Sequence, residues 1–164
     1  MRPIAEGDIR ASFVNCSKGE AKRLALPRDL TTVSWDDLDF LGWQDGAAPD
    51  RAYLVAEFGA APVGVALRRA AGGAGRMRRT MCSLCLTTHT AGGVSLLTAR
   101  RAGKAGQQGN SVGLYACSDL ACSLYLRGKK EIWAASRLQE SLGVPEKVDR
   151  LVTNLTGFLR RVTA

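Results

Sequence analysis

Two pairs of closely spaced cysteines constrain the fold of this chain more than any other feature. Cys82 and Cys85 form a C-x2-C pair in the run MCSLC, and Cys117 and Cys122 form a C-x4-C pair in the run YACSDLACSLYLRGKK. The 31 residues between the pairs are enough for a β-hairpin and its loop. Two such pairs are typical of a site where four thiolates surround one Zn²⁺ tetrahedrally. The pattern therefore predicts one structural zinc ion with no open coordination position for chemistry.

The same cysteines allow three other interpretations. Two disulfides would need an oxidising compartment, but the N-terminal run MRPIAEGDIR lacks the apolar core of a signal peptide, so we expect a cytoplasmic protein with reduced thiols. Four buried thiols without a metal are a second alternative. A thiol oxidoreductase is the third, although it needs only one C-x2-C pair and leaves the second pair unexplained.

The other nucleophilic and metal-binding side chains are few. Cys16 stands far from the other cysteines and is predicted to be a packed thiol. His89 follows Cys85 by four residues and could in principle be a ligand, but four cysteines already complete a zinc site, so we predict that it is a loop residue. With one histidine and no Ser/His/Asp pattern, we expect that the protein is not an enzyme.

The positive charge of the chain is concentrated in its cysteine-containing half. The net charge is +8, with nine Lys/Arg and ten Asp/Glu in residues 1–75 but fourteen and five in residues 76–164. Such asymmetry favours an anionic partner, which could be RNA, the ribosome or an acidic protein surface, and the alternative is a solvated basic surface without a partner. No apolar run approaches the ~20 residues of a membrane span, so we expect no membrane association.

The order of predicted elements indicates an α+β fold: a small antiparallel sheet with flanking helices and a four-cysteine zinc finger. An interrupted N-terminal helix within residues 1–30 is followed by a hairpin, with strands over 52–58 and 63–68. Two further strands, 94–101 and 111–117, are predicted to pair, with Val94, Leu96, Val112 and Leu114 on one buried face. Helices are predicted over 120–126, with Ser118 and Asp119 as capping residues, and over 132–142 and 146–162.

Two polar segments are predicted to lie outside this framework. Residues 31–50 are interpreted as a turn and a surface loop, in which Asp36, Asp37 and Asp39 are solvated. The segment 102–110, rich in Gly, Gln and Lys, is predicted to be a mobile loop. We expect a single domain over 1–164, made of a helix and hairpin half (1–75), the zinc finger (76–130) and C-terminal helices (131–164).

Basic and aromatic residues are interleaved around the second cysteine pair. Tyr115 and Tyr125 lie among basic side chains that could contact RNA phosphates while the rings stack on bases. The same side chains would also suit an acidic protein surface. The basic residues are Arg76, Arg78, Arg79, Arg100, Arg101, Lys104, Arg127, Lys129 and Lys130.

The two cysteine runs, with Asp119, Leu120, Ser123, Tyr125 and Arg127 around the second pair, resemble the C-terminal treble-clef zinc-finger domain of the FusB-type elongation factor G-binding proteins. The resemblance is firm from about residue 76 to residue 130. At 164 residues the chain is too short to hold the helical N-terminal domain of two-domain members as well, so we expect a single-domain form. The turn from Cys82 to Cys85, which we call the knuckle, carries the small Ser83, where an aromatic side chain would be a stronger anchor.

The resemblance implies a treble-clef fold, one structural Zn²⁺ and a cytoplasmic monomer that binds elongation factor G. In the family, binding frees the factor from ribosomes on which fusidic acid has trapped it, and this confers resistance. The alternative is an RNA- or ribosome-binding zinc module. The residues predicted to contact the partner are Ser83, Lys104, Tyr115, Tyr125, Arg127, Lys129 and Lys130, and no catalytic residue is predicted.

Overall fold

A computed structural model describes residues 1–70, 79–90, 92–132 and 140–164, and a five-stranded antiparallel sheet runs through its centre. The sheet has the order β1-β2-β3-β6-β7, and β4 and β5 form a separate two-stranded sheet. The strands are β1 (Phe40–Gln44), β2 (Arg51–Phe58), β3 (Ala61–Arg69), β4 (Thr80–Met81), β5 (Thr88–His89), β6 (Val94–Arg100) and β7 (Ser111–Cys117).

Five helices among the described residues flank the sheet, so the predicted α+β class is confirmed. They are α1 (Glu6–Ala11), α2 (Lys18–Arg23), α3 (Gly103–Gln107), α4 (Cys122–Leu126) and α5 (Val144–Thr163), and 3₁₀ turns cover Leu30–Thr32 and Trp35–Asp37. Helix α5 begins two residues before the predicted start, because Pro145 fits its first turn and Glu146 accepts a hydrogen bond from the Gly143 N–H. The helix predicted over 132–142 falls mostly on residues 133–139, outside the described residues. None of the described helices is long and apolar enough to cross a membrane.

The sheet separates two hydrophobic clusters. Strand β2 is buried on both faces, because Leu54 faces one cluster while Tyr53 and Val55 face the other. The larger cluster contains the four cysteines of the predicted zinc site. It also contains the apolar stripe of α5, including Leu151, Leu155, Phe158 and Leu159. The smaller cluster joins Ile9 and Leu24 to Trp35, Leu41 and Trp43. The N-terminal segments therefore cover one face of the sheet, and the cysteine loops with α5 cover the other.

The pairing of β6 with β7 was predicted, and three of the four residues predicted to be buried there, Val94, Val112 and Leu114, are buried. Leu97 lies opposite Leu114, and Ala99 lies opposite Val112, so these four side chains share a face. Leu96 lies opposite Tyr115 on the other face and is only half-buried, so its predicted place beside Val112 is wrong. A register that differs by one residue moves every side chain of a strand to the opposite face.

Two segments interpreted as loops contain regular structure. Strand β1 adds an edge to the sheet within residues 31–50 and pairs with β2 over its full length. Helix α3 lies within the predicted mobile loop 102–110, which is folded back on itself by a hydrogen bond from the Asn110 N–H to the Ala105 oxygen.

Candidate metal centre

The first cysteine pair lies in a tight knuckle between β4 and β5. The Cys82 sulfur accepts hydrogen bonds from the backbone N–H groups of Leu84 (3.3 Å) and Cys85 (3.5 Å). The chain then reverses at Leu86, which adopts a left-handed backbone (φ 58°) and donates its N–H to the Cys82 oxygen. Such a conformation costs a non-glycine residue free energy, and its presence beside Cys85 shows that the surrounding structure enforces the turn.

The second pair lies where the sheet meets a helix. Cys117 is the last residue of β7, and Cys122 is the first residue of α4. Between them Leu120 also has a left-handed backbone (φ 56°) and donates its N–H to the Cys117 oxygen. The helix cap differs from the prediction, since Ala121 is the N-cap residue and Asp119 instead accepts the Ala121 N–H before the helix begins.

The four sulfurs form a cluster of the size that a zinc ion requires. All lie within 4.8 Å of one another, with Cys82 to Cys122 at 3.7 Å and Cys85 to Cys117 at 3.6 Å. Four thiolates at Zn–S distances of about 2.3 Å would place their sulfurs about 3.8 Å apart in a tetrahedron, whereas a disulfide needs about 2.0 Å. The geometry therefore fits four-coordinate zinc and does not fit two disulfides.

The electrostatics of the cluster also favour a bound cation. Hydrogen bonds, first from the Cys117 thiol and then from Cys122 and Cys85, hold the pKa of Cys82 well below its usual value. The pKa of Cys122 is raised, first through its hydrogen bond with Cys117. Without a metal the buried cluster would hold few thiolates, because adjacent negative charges repel one another; a divalent cation lets all four ionise. The four cysteines therefore fit the predicted structural Zn²⁺, and they are the residues that would hold it.

His89 supports a zinc ligand, and the prediction that it is a loop residue is wrong. It lies in β5, is 5% exposed, and places its Nε2 atom 3.3 Å from the Cys117 sulfur. Burial lowers the pKa of the imidazole, which favours the neutral ring. Beside a thiolate we assign the proton to Nε2, so that His89 donates to sulfur. The Tyr125 ring packs against the imidazole edge to face, with ring centroids 4.7 Å apart.

The predicted partner residues Ser83 and Tyr115 lie together beside the knuckle. The Ser83 N–H donates to the Tyr115 oxygen (2.7 Å), and the side chains of both are exposed. Tyr115 is 53% exposed, and Met81, two residues before Ser83, is 50% exposed. We call Met81, Ser83 and Tyr115 the knuckle surface.

Arg127 and Lys129 are occupied by acidic partners from the N-terminal half. The Arg127 guanidinium makes a bidentate contact with Asp39, at 2.6 and 2.8 Å, and both side chains are largely buried. Lys129 contacts Asp37 at 2.6 Å, and the Asp39 N–H donates to the Ser123 hydroxyl. The sequence suggested that Asp37 and Asp39 are solvated loop carboxylates, and this is wrong. Both carboxylates bind cations that follow α4, and they attach this helix to the segment before β1.

Tyr125 and Lys130 converge on Asp119. The tyrosine hydroxyl donates to the Asp119 carboxylate (2.8 Å), and the lysine ammonium reaches the same oxygen (2.8 Å) and lies 5.6 Å from the Tyr125 ring centroid. Burial, followed by the bond to Asp119, raises the pKa of Tyr125. Lys104 lies apart from all these residues, exposed on α3.

The remaining predicted residues are the isolated cysteine and the arginines before the first cysteine pair. Cys16 is a half-buried free thiol, and burial raises its pKa. Arg76 and Arg78 lie outside the described residues. Sequence reasoning missed His89, Asp37 and Asp39 as supports of the zinc finger. The contact between Asp39 and Arg127 spans 88 positions, so no short-range pattern signals it.

The fold and the sulfur cluster define a protein with a treble-clef zinc finger. The chain belongs to the family described as "FBP C-terminal treble-clef zinc-finger", whose model matches residues 8–162. A similar solved structure is that of the fusidic acid resistance protein FusC, at 14% identity and a TM-score of 0.48, with 90% of this chain and 58% of that chain covered. The chain thus spans less than two thirds of that protein. No curated protein matches the chain significantly.

Proposed function

We propose that this protein binds elongation factor G without catalysing a reaction, and that binding frees the factor from ribosomes on which fusidic acid has trapped it. The observation that carries this proposal is family membership over residues 8–162, together with the likeness of the cysteine runs to the FusB-type module. The factor acts in the cytoplasm, so we propose that location, and we propose that the protein acts there as a monomer.

A zinc site with four cysteine ligands supports a binding role. When bound, zinc stabilises the folded finger and offers no open position to a substrate. Release of a trapped factor needs no chemistry, because a protein that prefers the ribosome-free conformation of the factor shifts the population toward it. The chain's own task is then to present a rigid surface.

We propose that the knuckle surface is the centre of the contact. Tyrosine and methionine are enriched at protein interfaces, and both are exposed here beside a rigid metal loop. Tyr125, Lys129 and Lys130 would add contacts at its margin. Arg127 would act by positioning α4, because its guanidinium is already paired with Asp39. Lys104 lies on α3, before the start of β7, so it is the predicted contact residue that is least suited to this surface.

Calorimetric titration of the zinc-loaded protein with elongation factor G from the same organism tests the proposal. We expect saturable one-to-one binding that Tyr115→Thr weakens by roughly tenfold or more, since threonine keeps the strand propensity but removes the ring. Val152→Ala is the matched control, because Val152 is an apolar side chain of similar exposure (43%) that lies on α5 and is not part of the knuckle surface.

Zinc content and melting temperature should be unchanged in both variants. Unchanged binding by Tyr115→Thr would exclude the knuckle surface as the contact. Absence of binding at micromolar concentrations would exclude the factor as the partner.

A further inference from the structure

The connection between β6 and β7 is folded against the C-terminal end of α5. The Ala102 N–H donates to the Val162 oxygen (2.8 Å), and the Arg101 Nε–H donates to the Arg161 oxygen (3.0 Å). These bonds satisfy carbonyl groups in the last turn of α5, which have no partner within the helix. Two segments about 60 positions apart in sequence are thereby held side by side.

The same connection is internally rigid. A Cβ atom on Gly106 would lie 1.8 Å from the Arg101 oxygen, so α3 packs directly on the Arg101 backbone. The Arg101 N–H donates to the Asn110 oxygen (2.9 Å), which closes the loop at its base. The backbone that carries the side chains of this connection is therefore held in a defined conformation.

These two adjoining segments carry four cations, which we call the basic corner: Arg101, Lys104, Arg160 and Arg161. Lys104, Arg160 and Arg161 are exposed, and Arg101 is half-buried. No Asp or Glu occurs in residues 101–118 or 150–164. Among the ion pairs of the described residues, none involves these four side chains. Arg100 is left out because it interacts with the Glu20 carboxylate.

We propose that the basic corner binds the sugar–phosphate backbone of double-helical RNA. Unpaired cations held on a rigid frame can neutralise successive phosphates with little loss of conformational freedom. The neighbouring exposed residues, Gln107, Gln108 and Asn110, are amides that donate to phosphate and sugar oxygens. The connection has no aromatic residue that would stack on unpaired bases or anchor a protein interface, and this favours a duplex backbone.

Favourable interaction with the helix dipole is a structural explanation for part of the basic corner. Cations in the last turn of a helix are stabilising, and this accounts for Arg160 and Arg161. It does not account for Arg101 and Lys104, which lie outside α5.

The basic corner is separate from the knuckle surface. The corner adjoins the start of β7 at Ser111, whereas Tyr115 lies four residues along the strand, or about 13 Å. The choice of RNA rather than DNA rests on the proposed function in translation. The proposal that the basic corner binds a nucleic-acid backbone does not rest on that function. The chain could therefore contact a ribosomal helix and a protein factor at the same time.

Fluorescence anisotropy with a labelled RNA duplex of about 20 base pairs tests the inference, using the full zinc-loaded chain. Binding should fall with salt at a logarithmic slope of roughly −3.6 between about 50 and 200 mM KCl, if all four cations contact phosphates. Arg160→Gln/Arg161→Gln should weaken binding roughly tenfold and reduce the slope by about two, and Lys104→Gln should reduce it by about one. Arg101 is left intact because it holds α5.

Lys22→Gln/Arg28→Gln is the matched control, since it removes two exposed positive charges outside the corner. It should change affinity less than about twofold. Equal weakening by the control would show diffuse charge attraction and overturn the inference, as would absence of RNA binding at low salt. Tighter binding to a DNA duplex of the same sequence would overturn the assignment to RNA.

Titration of the same corner variants with elongation factor G separates the two proposals. Normal factor binding with weakened RNA binding is expected. If the wild-type chain fails to bind the factor but binds RNA through the corner, the proposed function falls and the inference stands. If the corner variants lose the factor and keep RNA, the corner is a protein interface and the inference falls.

Discussion

His89 shows how one buried side chain supports a metal ligand. The His89 Nε2 atom lies beside the Cys117 sulfur, and the imidazole ring packs on Tyr125. On the other side, a Cβ atom added to Gly93 would lie only 2.5 Å from the His89 Cβ. The imidazole thus has little room to rotate. A donor aimed at a zinc-bound thiolate offsets part of the negative charge that four cysteines place around one ion.

Removing this donor should weaken zinc binding without removing a ligand. We expect His89→Leu to bind zinc roughly 10 to 100 times more weakly than the wild type. His89→Gln should keep nearly the wild-type affinity, because the glutamine Nε2 can replace the imidazole donor. Equilibrium competition with a chromogenic chelator measures both affinities. Similar affinities for the two variants would show that His89 contributes only packing.

The zinc ligands were predictable from sequence, and their support was not. The C-x2-C and C-x4-C spacings are local, and each brings two sulfurs to one side of a turn. The contact between His89 and Cys117 depends on β5 returning beside β7, which no spacing encodes. Leu86 and Leu120 give no sequence signal either, because their left-handed backbones would ordinarily favour glycine.

At the scale of elements, β1 holds the second cysteine loop in place. A Cβ atom on Gly42 would lie 2.5 Å from the Leu120 Cβ and 3.2 Å from its oxygen. The strand can approach this loop closely because position 42 has no side chain. Leu120, which is 3% exposed, is thereby held between Cys117 and Cys122.

Gly42→Ala should therefore destabilise the protein by about 1–3 kcal/mol, because either β1 or the loop must move. Gly46→Ala is the control, since nothing lies within 4 Å of the Cβ it would add. Urea unfolding with excess zinc measures both. Equal stability of the two variants would contradict the close packing of β1 on the cysteine loop.

Elements with strong local patterns were predicted, and those that depend on distant partners were not. The hairpin of β2 and β3, the pair of β6 and β7, and α5 all follow from runs or periodicity within their own residues. Strand β1 was missed because its five residues lie among Asp and Gly that favour turns. Its strand conformation depends on pairing with β2.

At the scale of the whole molecule, the zinc finger and the N-terminal half are joined in two ways. The sheet is continuous, because β3 pairs with β6 at Arg68–Thr98 and Arg69–Leu97. The buried contact between Arg127 and Asp39 ties α4 to the segment before β1. Breaking such a pair leaves a charge without compensation, so each half constrains the other. Loss of zinc should therefore disturb the smaller hydrophobic cluster, which contains Trp35 and Trp43, as well as the knuckle.

The most direct test of this account is the removal of zinc, followed through the tryptophans of the smaller cluster. In a Trp133→Phe background, Trp35 and Trp43 alone report, and both belong to that cluster. Under reducing conditions, a strong chelator should extract one zinc ion per chain while tryptophan emission shifts to the red and helical circular dichroism falls. Cys85→Ser should show the same signals without chelator. Release of one zinc ion with unchanged emission and melting temperature would contradict the structural role of the metal.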